Sequence, residues 1–483
     1  MKFDSRFSKI AALCVTILLA ACGQKTSSPN TCAAAQDVGI AYQEITASDT
    51  NENLKLIVKM TDSRRDFENF RADLTAANGK EQAEANKLSV TRVAQATYAV
   101  EIQSRSPAMK VIDRAIQDKK LQFIETDHAT FSVNPLEATS TAENLEALAA
   151  TASISNSVSL ASDALPLVTG KRKTVIVGVI DTGVDYTHKD LAPYMWTNLN
   201  EIPANGIDDD NNGFVDDVRG WNFANNNNDP MADDAGAYHG THVAGIVRTA
   251  SQLAQQGIDV KIMPIKYLDS SGSGLSSNAV RAIDYAIKNG AVVLNNSWGS
   301  MNSSRAVSDA IERTRQAHML FVAAAGNGDA AGIGIDTDLQ PFYPAAYPHD
   351  NIISVAAGDQ DGNLTRFSNY GKSSVDITAP GLNIKSTRNG NTYGVLSGTS
   401  MASPYVAGVA AMLWGMRPDL SYHEVKQVLL NSVTMNPNLA GKILTGGDIN
   451  PMQAARVAVS FAHDPNEKLS TESSGRQAPC SVP

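Results

Sequence analysis

Cysteine is scarce. The 483-residue chain holds 4, at positions 14, 22, 32 and 480, with none between 33 and 479. No Cys-x-x-Cys occurs, so a zinc or dithiol redox motif has no support. An excess of positive charge is also missing: 40 Lys and Arg stand against 50 Asp and Glu, a net charge of −10. Phosphate binding needs a basic face, so a nucleic-acid partner is not expected. The N-terminal apolar stretch, Ile10 to Ala21, spans roughly 18 Å as a helix, short of the ~30 Å of a bilayer core. Two further patterns are lacking. His239 and His242 have no Glu at His-Glu-x-x-His spacing, which disfavours a zinc protease, and Ser400 has no Gly-x-Ser-x-Gly around it.

What is present is globular in kind: 43% apolar and 19% charged residues. The length suits about two or three domains, one of them large enough for an extensive core. From Leu167 onward, short apolar runs alternate with amphipathic or apolar helical periods. Strands are expected at Val175–Ile180, Val260–Pro264, Ala291–Asn295, Leu320–Ala324 and Ile352–Ala356. Helices are expected at His239–Leu253, Ser277–Lys288, Arg305–His318, Ser400–Met416 and Tyr422–Leu430. This alternation predicts an α/β fold of three layers, a mainly parallel sheet covered on both faces.

Ser400 lies in Gly398-Thr399-Ser400-Met401-Ala402-Ser403-Pro404, where a turn-like run, Thr392 to Ser397, meets an apolar helix. A serine there stands at a helix start, among N–H groups without intrahelical partners. Those groups suit an oxyanion formed when the serine attacks a carbonyl. Asp181, in Val179-Ile180-Asp181-Thr182-Gly183-Val184-Asp185, falls at the end of a buried strand, where open α/β sheets place their ligands. His239-Gly240-Thr241-His242-Val243-Ala244-Gly245 opens another helix. In chain order the three make Asp, His, Ser, one of the known triad orders.

These blocks, with Phe321-Val322-Ala323-Ala324-Ala325-Gly326-Asn327, closely resemble the subtilase (subtilisin-like serine protease) family over about residues 166 to 460. The resemblance implies a serine endopeptidase acting on protein or peptide substrates. Ser400 would be the nucleophile, His239 the general base and Asp181 its orienting partner. Asn327 would donate to the oxyanion beside the Ser400 N–H, and His242 would be structural. Tyr238 stands where relatives often carry Gly, so a local change of one wall is expected. Gly272, Ser273 and Gly274 match the edge along which the family lays substrate as an added strand. Ser297, Trp298, Gly299 and Ala325 match the walls of the primary specificity pocket. No charged residue occupies those positions, so an uncharged, apolar P1 side chain is expected, with Phe342 at the floor limiting large ones. Trp298 is equally readable as core. Tyr343-Pro344 is a candidate cis bond.

Acidity is concentrated between Glu201 and Asp234, which hold about nine carboxylates and one arginine. Within it Asp208, Asp210 and Asn212 alternate before Gly213, and Phe214 (through its carbonyl), Asp216 and Asp217 follow. Oxygen ligands at alternate positions before a glycine turn suit a structural Ca²⁺. The loop departs from an EF-hand, whose twelfth position needs Glu; here it is Arg219. A solvated acidic turn is the alternative.

Lys2, Arg6 and Lys9 before the short apolar stretch make residues 1–21 a secretory signal. It ends Leu19-Ala20-Ala21-Cys22, which resembles a bacterial lipobox and implies acylation of Cys22. Gly23 after it resembles sorting to the outer membrane of a Gram-negative cell. Residues 22–48 read as a flexible tether. Residues 49–134 show a small α+β pattern: strands Leu54–Met60 and Tyr98–Gln103, helices near Asp66–Asn78 and Pro107–Lys119, and a strand-like Leu121–Val133. This resembles the family's propeptide, so the domain is expected to act as an intramolecular inhibitor. Residues 135–166 are an Ala/Ser/Thr-rich linker in which processing is expected, at a bond the sequence does not specify. Residues 167–462 form the catalytic domain, expected to be monomeric, and 463–483 a polar tail. Cys32 and Cys480 are a possible disulfide pair. The competing readings are a peptide-binding pseudoprotease and an adhesion lipoprotein.

Overall fold

The computed structural model describes residues 53–61, 64–78, 89–94, 96–103, 109–133, 135–137, 174–233, 237–253 and 258–464. The signal segment, Cys22, Cys32, Cys480, the tether and most of the linker and tail lie outside the described residues.

The N-terminal unit contains β1 (Asn53–Met60), α1 (Arg64–Asn78), β2 (Ser89–Ala94), β3 (Thr97–Gln103), α2 (Met109–Gln117) and β4 (Leu121–Thr126). Its strands pair antiparallel in the order β2-β3-β1-β4. Residues of β1 alternate between two buried faces, as the period of a strand requires. Leu56, Val58 and Met60 pack with Phe70 and Leu74 of α1 and Ile112 of α2. Ile57, between them, joins Val93 and Phe123 in the core of the larger unit instead. The strand-like run to Val133 divides: β4 stays in this sheet, and β5 (Ala129–Ser132) leaves it.

The larger unit is built on a nine-stranded sheet. Its strands are β7 (Val175–Asp181), β8 (Trp221–Asn222), β9 (Val260–Lys266), β11 (Val293–Asn296), β13 (Leu320–Ala324), β14 (Ile352–Gly358), β15 (Ile377–Pro380), β18 (Thr434–Met435) and β19 (Gly447–Asp448). Every pairing is parallel except β18 with β19 at one edge. Strand β7 lies between β9 and β11, so successive crossovers leave it in opposite directions, a topological switch point. Helices α3 (His239–Ser251), α6 (Thr399–Met416), α7 (Tyr422–Asn431) and α8 (Pro451–Ser460) cover one face with Val175, Val177 and Val179. Helices α4 (Ser276–Lys288) and α5 (Arg305–Gln316) cover the other with Ile180, Met263 and Ile265. Gly178 keeps that second layer close; a β-carbon there would meet Leu294 at 2.7 Å.

The stretch from Thr392 reads as a turn in the sequence but is a strand. It forms β17 (Thr392–Ser397), paired antiparallel with β16 (Ile384–Arg388). Its last three residues, Val395, Leu396 and Ser397, are all buried, so no period-2 alternation marks the strand, and the glycine at 394 obscures it further. Tyr343-Pro344 is cis, as expected.

The small unit docks through carboxylates at two helix starts. Glu125 accepts from the N–H groups of Arg305 (2.8 Å) and Ala306 (3.2 Å) and from Ser304 Oγ (2.7 Å), capping α5. Asp127 accepts from Ser277 N (2.9 Å) and Oγ (2.6 Å), capping α4. Both sites satisfy orphan helix donors and face the positive end of a helix dipole. Lys59 pairs with Asp309 beside them. Burial nevertheless raises the pKa of both carboxyls above the usual range. The docked state therefore binds more protons than the separated one, and docking is tightest at acid pH, weakening as pH rises through the raised values. In the Ser400→Ala chain, Glu125→Gln with Asp127→Asn should flatten this trend. Amide hydrogen exchange at the first turns of α4 and α5, corrected for intrinsic rate, checks it.

Candidate active site

Asp181 ends β7 at the switch point and is sealed from solvent. Its Oδ1 accepts from Thr182 N at 2.7 Å and meets His239 Nδ1 at 2.8 Å. Helix α3 delivers His239 from its first position. The approach is close: a β-carbon on Gly240 would lie 2.2 Å from the Gly183 carbonyl. Gly240 N donates to Thr182 Oγ1 at 3.0 Å, fixing the helix start against the Asp181 turn. Lys266, fully buried, holds the same turn from below. Its Nζ donates to the carbonyls of Thr182 (2.6 Å) and Leu268 (3.0 Å) and to Asp233 Oδ2 (2.8 Å). Lys266 was not legible as a site residue; a lysine closing the apolar run of β9 is its only sequence signal.

His242, one turn on, is buried with Nε2 against the Gly394 carbonyl at 3.2 Å. Burial drives its pKa down to about 3, so it stays neutral. Tyr238 places its ring under the Arg388 guanidinium, 3.6 Å from centroid, making a wall where a glycine would leave space.

Ser400 is the second residue of α6. Pro404 lies four residues on and has no N–H, so the Ser400 carbonyl loses its ordinary helical donor. Ser297 Oγ supplies one instead, at 3.1 Å. Ser297 Oγ itself accepts from Asn295 Nδ2 at 3.1 Å, whose Oδ1 accepts from Ser403 Oγ at 2.9 Å. A polar relay thus ties the end of β11 to the first turn of α6. Asn327 approaches from the far side. Its Oδ1 accepts from Thr399 N and Oγ1, both at 2.9 Å, which makes Nδ2 the end that faces away from Thr399. Gly398 leaves room for it; a β-carbon there would stand 2.9 Å from Asn327 Nδ2.

The cleft holds the chain's own β5. It runs antiparallel between β10 (Ser273–Leu275) and β12 (Trp298–Gly299). Phe131 pairs with both Ser273 and Gly299, Thr130 with Gly274, and Ser132 with Trp298. Ser132 N donates to the Gly272 carbonyl at 2.7 Å and Val133 N to the Ser297 carbonyl at 3.0 Å. A side chain at Gly272, whose φ is +77°, would strike Ser132 Oγ at 2.3 Å. Trp298 contributes backbone only; its side chain is core, edge-on to Tyr267. Ala323, Ala324 and Ala325 are buried. The Phe342 ring lies against both Gly299 and Gly326, within 2.3 Å and 3.1 Å of where their β-carbons would be. Ser400 Oγ donates to the Val133 carbonyl at 2.7 Å, while His239 Nε2 has no hydrogen-bond partner among the described residues.

A profile of the subtilase family matches residues 172–453. The chain belongs to the subtilase family. It is 35% identical over 316 residues to a subtilisin-like protease 1 from Plasmodium berghei, covering 61% of this chain and 51% of that protein. It is 39% identical over 241 residues to a thermophilic serine proteinase from Bacillus sp. strain AK1, covering 49% and 51%. Against subtilisin DY of Bacillus licheniformis it is 34% identical over 288 residues, covering 59% and 92%. The chain spans about half the length of the first two relatives. In structure it resembles fervidolysin from Fervidobacterium pennivorans, a keratinolytic enzyme related to subtilisin. That likeness has TM-score 0.60 at 22% identity and covers 84% of this chain and 61% of that one. It bears on the fold alone.

The acidic loop lies apart from this cleft. Oxygens of Glu201, Asp208 and Asp210 come within 4.8 Å of one another. Glu201 was missing from the sequence-based set, because it lies seven residues before the loop and enters only through folding. Asp216 is turned to the Asn205 and Gly206 N–H groups, both at 3.0 Å. Asp217, buried, is engaged by Tyr285 OH (2.6 Å), Asn198 (2.9 Å) and Asn212 (3.0 Å). Asn212 and Phe214 belong to the turn itself, Asn212 Oδ1 accepting from Phe214 N at 2.8 Å.

Ser297→Ala should cost about 1–3 kcal/mol of stability, because the buried Ser400 carbonyl loses its donor. Urea unfolding of the Ser400→Ala background, with and without the change, measures it.

Proposed function

We propose that this subtilase is a serine endopeptidase, exported and anchored by lipid at Cys22, and made as a zymogen. The observation that carries the reading is Ser400 Oγ held 2.7 Å from a peptide carbonyl in a chain whose Asp181 and His239 form a hydrogen-bonded pair at 2.8 Å. Ser400 attacks the carbonyl, His239 Nε2 takes its proton and returns it to the leaving nitrogen, and Asp181 fixes the tautomer and stabilises the imidazolium. Asn327 Nδ2 and the Ser400 N–H serve the oxyanion. The small apolar pocket, narrowed by Phe342, favours uncharged P1 side chains of moderate size. The 49–134 unit is the inhibitor. The lipobox-like Leu19-Ala20-Ala21-Cys22 supports an outer-membrane or surface location.

A fluorophosphonate probe should label the wild-type chain and not Ser400→Ala. Asn327→Ala should keep labelling detectable while peptide hydrolysis falls on the order of 10²–10³-fold in kcat. Absence of label in folded wild type would leave a peptide-binding pseudoprotease.

Glu201, Asp208 and Asp210 are proposed to hold a structural Ca²⁺. Oxygen-only donors in one small cluster fit a hard cation. Burial and the neighbouring Asp217 charge raise the Glu201 pKa, a repulsion that a bound cation would relieve. Chelation should lower the Tm of the Ser400→Ala chain, and Glu201→Gln should remove most of that dependence. Equal Tm shifts in the two proteins would place the calcium elsewhere.

A further inference from the structure

The peptide bond on the carboxyl side of Val133 is, we propose, the one that this chain's own Ser400 cuts. The inference deepens the endopeptidase reading and rests on it. Processing was expected somewhere within the linker that follows; the geometry selects a bond at its near boundary.

The register leaves a single candidate. On one side of Ser400, β5 is locked to two strands at once, and Val133 N donates to the Ser297 carbonyl at 3.0 Å. On the other side β6 (Leu136–Glu137) pairs antiparallel with β17, Leu136 opposite Ser397 and Glu137 opposite Leu396. Pro135 Cα passes 3.5 Å from the β-carbon position of Gly398. The described residues on either side of position 134 thus flank Ser400, and the carbonyl at Ser400 Oγ is that of Val133.

Slippage is opposed in each direction. A shift by one residue would turn every side chain to the opposite face. In either direction it would force Phe131, which is half exposed, into a place now held by buried Thr130 or Ser132. A shift by two would put Pro135, which has no N–H, where Val133 donates to Ser297, or would press Phe131 toward the Phe342 ring. Val133 itself is apolar, buried and of moderate size.

The step balances with one water. Ser400 Oγ moves from the Val133 carbonyl oxygen to its carbon and passes its proton to His239 Nε2, which has no hydrogen-bond partner among the described residues. The bond to the nitrogen of residue 134 breaks, and that nitrogen takes the proton from His239. Water then hydrolyses the Val133–Ser400 ester, leaving a Val133 carboxylate and a free serine hydroxyl.

The test follows the full chain through maturation in water enriched in ¹⁸O. The first-formed large fragment should begin at Asn134, and the small fragment should end at Val133 with ¹⁸O in its new carboxylate. Neither should form in Ser400→Ala. Val133→Asp, which brings a charge to an apolar pocket, should slow the cut about tenfold or more. Val133→Ala should keep the same bond and guards against a folding defect in the first variant. A first cut at any other bond, or the same cut in Ser400→Ala, overturns the assignment. An apolar-P1 fluorogenic peptide is assayed in the same samples. Its hydrolysis with a different first cut sinks the bond alone, whereas no hydrolysis and no fluorophosphonate label sinks the endopeptidase reading as well.

Discussion

A carboxylate sealed from water at the end of a central strand sets the terms for the rest of the site. Asp181 has no solvent exposure, so its charge must be answered by protein groups. Thr182 N and His239 Nδ1 answer it directly. The turn that presents Thr182 must then hold still, and Lys266 holds it through the Thr182 carbonyl. Helix α3 must come within contact of that turn, which requires glycine at 240. The sheet positions all of these, because the switch point puts the end of β7 between two neighbouring strands without a covering connection.

The second half of the site answers a different constraint, a helix with proline in its first turns. Pro404 frees the Ser400 carbonyl, and the polar relay from Asn295 through Ser297 to Ser400 satisfies it. The position of Ser400 is therefore coupled to the strand end against which β5 lies. Ser297 serves both: its hydroxyl supports the serine and its carbonyl accepts from Val133 N.

Legibility followed locality. Strand β7, helix α3 and helix α6 were readable because each motif sits at a junction between an apolar run and a helix start, a pattern written in consecutive residues. Asn327 and the Ser297–Gly299 wall came only through resemblance to a family. Lys266 and Glu201 were not readable, since their roles depend on partners 84 and several residues away that no periodicity links to them. Strand β17 was obscured by Gly394 and by polar residues at its start. The division of the 121–133 run between two sheets was equally hidden: alternation reports that a segment is extended, not which edge it joins.

On the proposed reading a substrate would enter the cleft through the same backbone pairing as the N-terminal unit, so the pairing alone cannot tell them apart. The difference lies remote from the serine. The N-terminal unit brings Glu125 and Asp127 to the starts of α5 and α4, and it buries Ile57 and Phe123 against the core of the larger unit. These contacts do not involve the carbonyl at Ser400, so they gain nothing in the transition state and persist when a bond at the serine is broken. A segment held this way is a poor leaving product even where it is a competent substrate. The acid-favoured docking of the two buried carboxyls adds a sign to that retention: rising pH weakens the docking of the N-terminal unit. On that reading inhibition and catalysis would share a strand and separate in the elements that anchor it.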